Sequence, residues 1–342
     1  MNRITLKIFL VGLFFAVSCS QDDETEPGGG TGLDYRNEMR NFVTGISQYA
    51  KSFSPGFLVI PQNGQELVTS DGNPGGTIAG NYLNAIDGHG REDLFYGYTN
   101  DDVPTPPEER IYIMSYLDRI KQAGKTILVT DYCYTPANMM DSYNQNNDAG
   151  YISFAADHRE LDNIPSYPPV IFHQNQDTIH LLSDAKNFLF LINPVNYTKG
   201  QLIAAIRNTN YDLVIMDLFI GNEPFSANEI DSLKQKKDGE RRLVICYMSI
   251  GEAENYRYYW QPEWNTSPPS WLAGENPSWP GNYVVRYWDK DWQNIIFGND
   301  QSYTKKILNA HFDGVYLDLV DAFEYFELSG QVMHSGQGIN KN

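Results

Sequence analysis

The sequence predicts an α/β fold, a (β/α)8 TIM barrel, and three observations lead to it. Eight short apolar runs recur along the chain, helical stretches separate several of them, and polar residues stand at the C-terminal ends of the runs. Short, nearly continuous apolar runs are the pattern of parallel strands buried on both faces. Eight of them alternating with helices favour a barrel over an open sheet.

The elements follow in order. Tyr35 to Phe53 places Met39, Phe42, Val43, Ile46 and Tyr49 at three- and four-residue steps, so the domain opens on an amphipathic helix. The expected strands are Phe57 to Ile60, Asp93 to Tyr96, Thr126 to Thr130, Asn187 to Ile192, Leu213 to Met216, Leu243 to Tyr247, Tyr283 to Tyr287 and Gly314 to Leu317. Helical stretches are expected at Arg110 to Ala123, Lys199 to Thr209, Ala227 to Lys236 and Ser302 to Ala310. A ninth run, Tyr151 to Ala156, exceeds the count and is assigned to an accessory strand in the excursion from Pro136 to Pro169. The first element is a helix and the last clear one, Gly314 to Val320, is a strand. A barrel circularly permuted between its fifth and sixth strands gives that order, because a compact domain tolerates joined termini.

Ahead of the domain, Arg3 and Lys7 precede the apolar run Ile8 to Val17, which is too short to cross a bilayer as a helix and reads as a signal peptide. It ends in Ala16-Val17-Ser18-Cys19, small residues before a cysteine, which predicts lipidation at Cys19. The acidic, then glycine-rich stretch from Gln21 to Gly32 cannot form a core and resembles the export signals of surface lipoproteins. The expected organisation is a lipoprotein signal peptide at 1–18, a tether at 19–33, the barrel at 34–330 and a tail at 331–342. That places the protein in the cell envelope, lipid-anchored at the outer membrane, with the membrane face open.

The chain carries 25 basic and 43 acidic residues, a formal charge of −18, and losing Arg3 and Lys7 with the leader makes it −20. Nucleic acid is excluded as a partner, since binding it needs a basic stripe. A cationic or neutral substrate and a merely solvated acidic surface both fit. After Cys19 only Cys133 and Cys246 remain, both within apolar runs, so neither a disulfide framework nor a metal site is expected. Without phosphate-cradling glycine motifs or histidine clusters, no cofactor is expected either. The oligomeric state stays open.

In a barrel of this class the site lies at the C-terminal ends of the strands. The polar residues found there are Gln62 and Asn63, Asp131 and Tyr132, Asn193, Asp217, Tyr247 with the following Glu252 and Glu254, and Asp318 with Asp321, while Arg91-Glu92-Asp93 precedes the expected strand that ends at Tyr96. A lone Asp at a strand end also caps the next helix, and for Asp131 and Asp321 both readings stand. Five strands delivering carboxylates to one rim suit glycosidic cleavage, which needs one protonated carboxyl and one ionised. All six tryptophans, Trp260, Trp264, Trp271, Trp279, Trp288 and Trp292, fall in one late region. Stacking on sugar rings and an aromatic plug for a long loop are both consistent with that cluster.

The segment Tyr247-Met248-Ser249-Ile250-Gly251-Glu252-Ala253-Glu254-Asn255-Tyr256-Arg257 resembles barrel proteins related to glycoside hydrolase family 114, endo-α-1,4-polygalactosaminidases. So do Trp271-Leu272-Ala273-Gly274-Glu275-Asn276-Pro277, Trp279-Pro280-Gly281-Asn282-Tyr283 and Phe312-Asp313-Gly314-Val315-Tyr316-Leu317-Asp318. In those relatives the stretch matching Phe57 to Tyr132 follows the fifth strand, whereas here it comes first, in line with the permutation. The resemblance implies a catalytic carboxylate on the second strand, matched by Asp217, and one on the fifth. There the family's Gly-Val-Glu-Pro-Asp is Gly314-Val315-Tyr316-Leu317-Asp318, with Tyr316 in place of the glutamate. Asp318 and Glu254 then join Asp217 as expected catalytic groups. Glu252, Arg257, Tyr247, Gln62, Asn63, Glu92, Asp131, Trp260 and Trp279 are expected to bind substrate.

Two functions follow. One is hydrolysis of an α-linked, galactosamine-containing or related polysaccharide by paired carboxylates, endo-acting and without metal. The other is a non-catalytic, surface glycan-binding lipoprotein on a degenerate hydrolase barrel, motivated by Tyr316.

Overall fold

The computed structural model describes residues 32–328; the leader, Cys19, nearly all of the tether and the whole of the expected tail at 331–342 lie outside them. The opening helix α1 (Tyr35–Phe53) begins where the Asp34 carboxylate accepts from Asn37 N at 2.9 Å, satisfying one of the otherwise orphaned donors of the first turn. Its buried stripe of Met39, Phe42, Val43, Ile46 and Ala50 is the face the three- and four-residue spacing predicts.

Eight parallel strands follow: β1 (Leu58–Pro61), β2 (Gly88–Glu92), β3 (Thr126–Tyr132), β4 (Ile152–Ala156), β5 (Phe188–Leu191), β6 (Leu213–Met216), β7 (Leu243–Ser249) and β8 (Gly314–Asp318). They form a five-stranded sheet in the order β1-β8-β7-β6-β5 and a three-stranded sheet in the order β2-β3-β4. The sheets meet where Gln62 bridges Gly90 in parallel and Asn63 N donates to Gly90 O at 2.9 Å. At the other junction β4 and β5 stand in separate ladders and touch through the rings of Phe154 and Phe188, with centroids 5.8 Å apart. The helices α2 (Gly80–Ala85), α3 (Pro107–Gln122), α4 (Pro136–Ala149), α5 (Lys199–Arg207), α6 (Ala227–Leu233), α7 (Lys290–Ile296) and α8 (Tyr303–Asn309) lie between strands. At the N-terminal end of the strands, Lys236 and Asp212, both with fully buried side chains, pair at 2.6 Å.

Three strand expectations are corrected. Asp93 to Tyr96 is not a strand; the strand is the preceding Gly88–Glu92, which carries no apolar side chain and so gave no hydrophobic signal. Its glycines are required by close approach: a Cβ on Gly88 would meet Leu182 at 2.7 Å, and one on Gly90 would meet the Tyr316 hydroxyl at 2.0 Å. The run at Tyr283 to Tyr287 contributes Asn282–Val285 to a small antiparallel sheet, with Glu252–Glu254 and Leu272–Glu275 as its partners. The supposed accessory run Tyr151 to Ala156 supplies β4, paired in parallel with β3 from Leu128↔Ile152 to Tyr132↔Ala156. Among the described residues the last element is a helix rather than a strand, because residues 323–328 are helical. A ring of strands has the same neighbours wherever its chain is cut, so this order suits an ordinary and a permuted barrel alike.

Candidate active site

Two carboxylate networks form at the C-terminal ends of the strands. In the first, Gln62, just past β1, places its Nε2 2.5 Å from Glu92 Oε2 and 3.1 Å from Asp318 Oδ1, so one amide donates to both carboxylates. Glu92 also accepts from Asn63 Nδ2 at 3.2 Å and from the Tyr132 hydroxyl. Asp318 accepts from the Tyr247 hydroxyl at 2.6 Å and from Leu319 N at 2.8 Å. Burial raises the Glu92 carboxyl, and the neighbouring Asp318 charge raises it further. Burial likewise raises Asp318, against the Tyr247 hydrogen bond and with the Asp321 charge. Both residues remain half-buried, so each still presents surface at the strand ends.

The backbone at these positions is unusual. Asn63, Asp93 and Leu319, each beside or within this network, take positive φ of 58°, 59° and 60°. Asn and Asp tolerate the left-handed region, but a branched apolar residue such as Leu319 pays about 1–2 kcal/mol for it. Strain of this kind collects at functional sites.

In the second network Arg257 grips Asp217 with both Nη atoms, at 2.8 and 2.6 Å, and reaches Glu254 Oε2 through Nε at 2.5 Å. Asp217 accepts in addition from Phe219 N at 2.7 Å, and Glu254 from the Tyr256 hydroxyl at 2.6 Å. Burial raises the Asp217 carboxyl while the Arg257 charge opposes it. The Tyr247 hydroxyl, which donates to Asp318, is raised first by burial and then by the charges of Asp318 and Glu254.

Residues 194–340 match the model of glycoside-hydrolase family GH114. The chain is also 47% identical over 131 residues to an uncharacterized protein of Methanocaldococcus jannaschii, covering 37% of this chain and 36% of that one. It is 44% identical over 90 residues to an uncharacterized protein of Thermotoga maritima, 26% of this chain and 27% of that one. An uncharacterized protein of Deinococcus radiodurans is 39% identical over 121 residues, 35% of this chain and 36% of that one. The chain thus spans about a third of the length of the curated relatives it matches. Asp217, Glu254, Arg257 and Asp318 fall inside the GH114-matching region, whereas Gln62, Asn63, Glu92 and Tyr132 lie outside it.

Tyr316, at the position where the resemblance implies a glutamate, is fully buried below Asp318. Its ring packs 5.2 Å from that of Phe190, and its hydroxyl has no hydrogen-bond partner. The side chain fills the interior rather than reaching the rim.

The other sequence candidates divide. Asp131 is fully buried, and its two oxygens accept from Phe95 N, Tyr96 N, the Ser142 hydroxyl and Asn146 Nδ2, at 2.8, 3.2, 2.7 and 3.0 Å. It is therefore a structural tie to α4, not a substrate ligand. Strand parity explains the correction: alternate residues of β3 point to opposite faces, so Tyr132 reaches Glu92 and Asp131 does not. Tyr132 is the site residue that the strand-end rule placed one position off. Glu252 accepts from Asn276 Nδ2 at 2.7 Å, leaves Oε2 unpartnered, and is raised chiefly by burial.

Most of the tryptophans form a plug. Trp271 and Trp292 are buried with centroids 5.0 Å apart, and Trp292 Nε1 donates to Ile250 O at 2.9 Å. Trp260 is half-buried between Trp264 and Tyr283, at 5.2 and 5.0 Å. Trp279, 48% exposed, and Tyr256, 57% exposed with its hydroxyl on Glu254, are free to meet a ligand. No group of three or more metal-ligating side chains occurs among the described residues, and none of their helices is long and apolar enough to cross a membrane.

Proposed function

We propose that this chain is a glycoside hydrolase that cleaves an α-linked, galactosamine-containing polysaccharide internally, by paired-carboxylate chemistry at the mouth of a closed (β/α)8 barrel. The observation that carries the reading is the convergence of Glu92, Asp217 and Asp318, from the ends of β2, β6 and β8, and of Glu254, from the segment after β7, into two carboxylate networks. Barrel closure is supported by the Gln62–Gly90 bridge on one side and the Phe154–Phe188 contact on the other. The acidic surface favours a cationic amino-sugar polymer by long-range attraction. The Ala16-Val17-Ser18-Cys19 motif supports a lipid anchor on Cys19 and an envelope location, and the early position of the Phe57 to Tyr132 stretch supports the circular permutation.

The test is release of reducing ends from partly N-deacetylated α-1,4-galactosaminoglycan and a glycan panel by purified protein. Release that is lost in Asp318→Asn supports the reading. No release from any member of the panel overturns it and favours a glycan-binding lipoprotein, the second reading, which the interior position of Tyr316 motivates.

A further inference from the structure

We propose that Glu92 and Asp318 are the acid and the nucleophile of this site, and that Gln62 is the residue that positions them. The assignment rests on the hydrolase reading and names its machinery. Tyr316 withdraws the expected carboxylate from β8 into the barrel interior, where it lies against Gly90. The same strand, β2, returns a carboxylate two residues later at Glu92, on the same face and one layer nearer the mouth. Between β2 and β8 runs β1, and from its end Gln62 touches both acids through one nitrogen.

The alternatives are otherwise occupied. Both oxygens of Asp217 are held by Arg257, and Glu254 is held by Arg257 and Tyr256, so the two share one cation and are fixed in place. Neither acid of the Glu92–Asp318 pair has a cation within ion-pairing distance among the described residues. Contacts of 2.5 and 3.1 Å bring one oxygen of each acid to the same nitrogen, a close pairing that points to retention rather than to the roughly 6.5–9.5 Å between carboxyls of inverting enzymes. The configuration of the first product tests it. Burial and the Asp318 charge both raise the Glu92 carboxyl, in keeping with Glu92 as the acid of the pair, and the two-substrate comparison below tests that order.

An Asp318 oxygen bonds to the anomeric carbon as the glycosidic C–O bond breaks, and the Glu92 proton passes to the departing oxygen. Water then bonds to the anomeric carbon and the Asp318–carbon bond breaks. The water proton returns to Glu92, so both groups end as they began.

The full chain is tested on partly N-deacetylated α-1,4-galactosaminoglycan and on a dinitrophenyl α-galactosaminide, whose leaving group needs no proton. Glu92→Gln is expected to lose about 10²- to 10⁴-fold on the polymer while largely keeping activity on the aryl substrate. Asp318→Ala is expected to lose both activities, with azide restoring aryl release. The first product is expected to retain its anomeric configuration. Polymer cleavage that survives Glu92→Gln, equal loss of both substrates in that variant, or an inverted product overturns the assignment and leaves the hydrolase reading standing. If the unmutated protein cleaves neither substrate, the hydrolase reading falls and takes the assignment with it. Should Glu92→Gln unfold, Gln62→Ala leaves both acids in place. Loss of the shared donor is then expected to move both limbs of the pH–rate profile upward, and an unmoved profile overturns the positioning role.

Discussion

Tyr316 packs on the backbone of Gly90 so closely that a Cβ at residue 90 would lie 2.0 Å from its hydroxyl, 2.4 Å from Cζ and 2.6 Å from Cε2. The tyrosine and the glycine are thus one packing solution, and each explains the other. Gly90→Ala is expected to lower stability by about 1–3 kcal/mol, the usual cost of overpacking. Tyr316→Phe does not relieve it, because the ring carbons clash as well, whereas Tyr316→Leu does. Thermal melting of the two double variants against the single ones checks the coupling.

Arg257 is the cation shared by two buried carboxylates, with side-chain exposures of 7% for Arg257, 9% for Asp217 and 4% for Glu254. Removing the cation strands both charges, so Arg257→Ala is expected to cost about 3–5 kcal/mol or prevent folding. Asp217→Asn together with Glu254→Gln in that background is expected to recover part of the loss. Urea midpoints measure both.

Asp131 has the hydrogen bonding of an anchor. Asp131→Ala is expected to leave two backbone donors and two side-chain donors unpaired, a loss of about 3 kcal/mol or more. Turnover per folded molecule is expected to stay unchanged, which separates this residue from Glu92. A drop in turnover at full folding would return Asp131 to the site.

Burial, with the Glu324 charge, pushes Asp321 up to about 7. A carboxyl that binds its proton more tightly when folded favours the folded state at low pH, and the benefit fades as pH rises from the unfolded value towards 7. Asp321→Asn is therefore expected to flatten the decline of stability between about pH 4 and 7, by less than the 1.4 kcal/mol per pH unit of a single full proton. Denaturation midpoints at successive pH values decide it.

Trp279 and Trp292 are expected to part company. Trp279→Ala weakens glycan binding and leaves the melting temperature in place, because the ring is exposed. Trp292→Ala removes a fully buried ring and its hydrogen bond to Ile250, at about 3–5 kcal/mol. Binding isotherms and melts on the two variants test the division.

Much of this molecule is written locally. The periodicity of α1, six of the parallel strands and the rim residues Asp217, Glu254 and Asp318 are legible in sequence, because apolar period and strand-end position are local properties. β2 was not legible: Gly88-His89-Gly90-Arg91-Glu92 has no apolar run, and its glycines answer to Leu182 and Tyr316, which are distant in the chain. Nor could sequence tell Asn282–Val285 from β4, since an apolar run of four or five residues does not name its partner strand. The pairing of carboxylates was likewise a tertiary decision. By itself the sequence determined that Asp217 and Asp318 stand at strand ends. Folding alone decided that Arg257 bridges Asp217 and Glu254, and that Gln62 joins Glu92 to Asp318, because charge pairing and shared hydrogen bonds depend on distances that only packing sets.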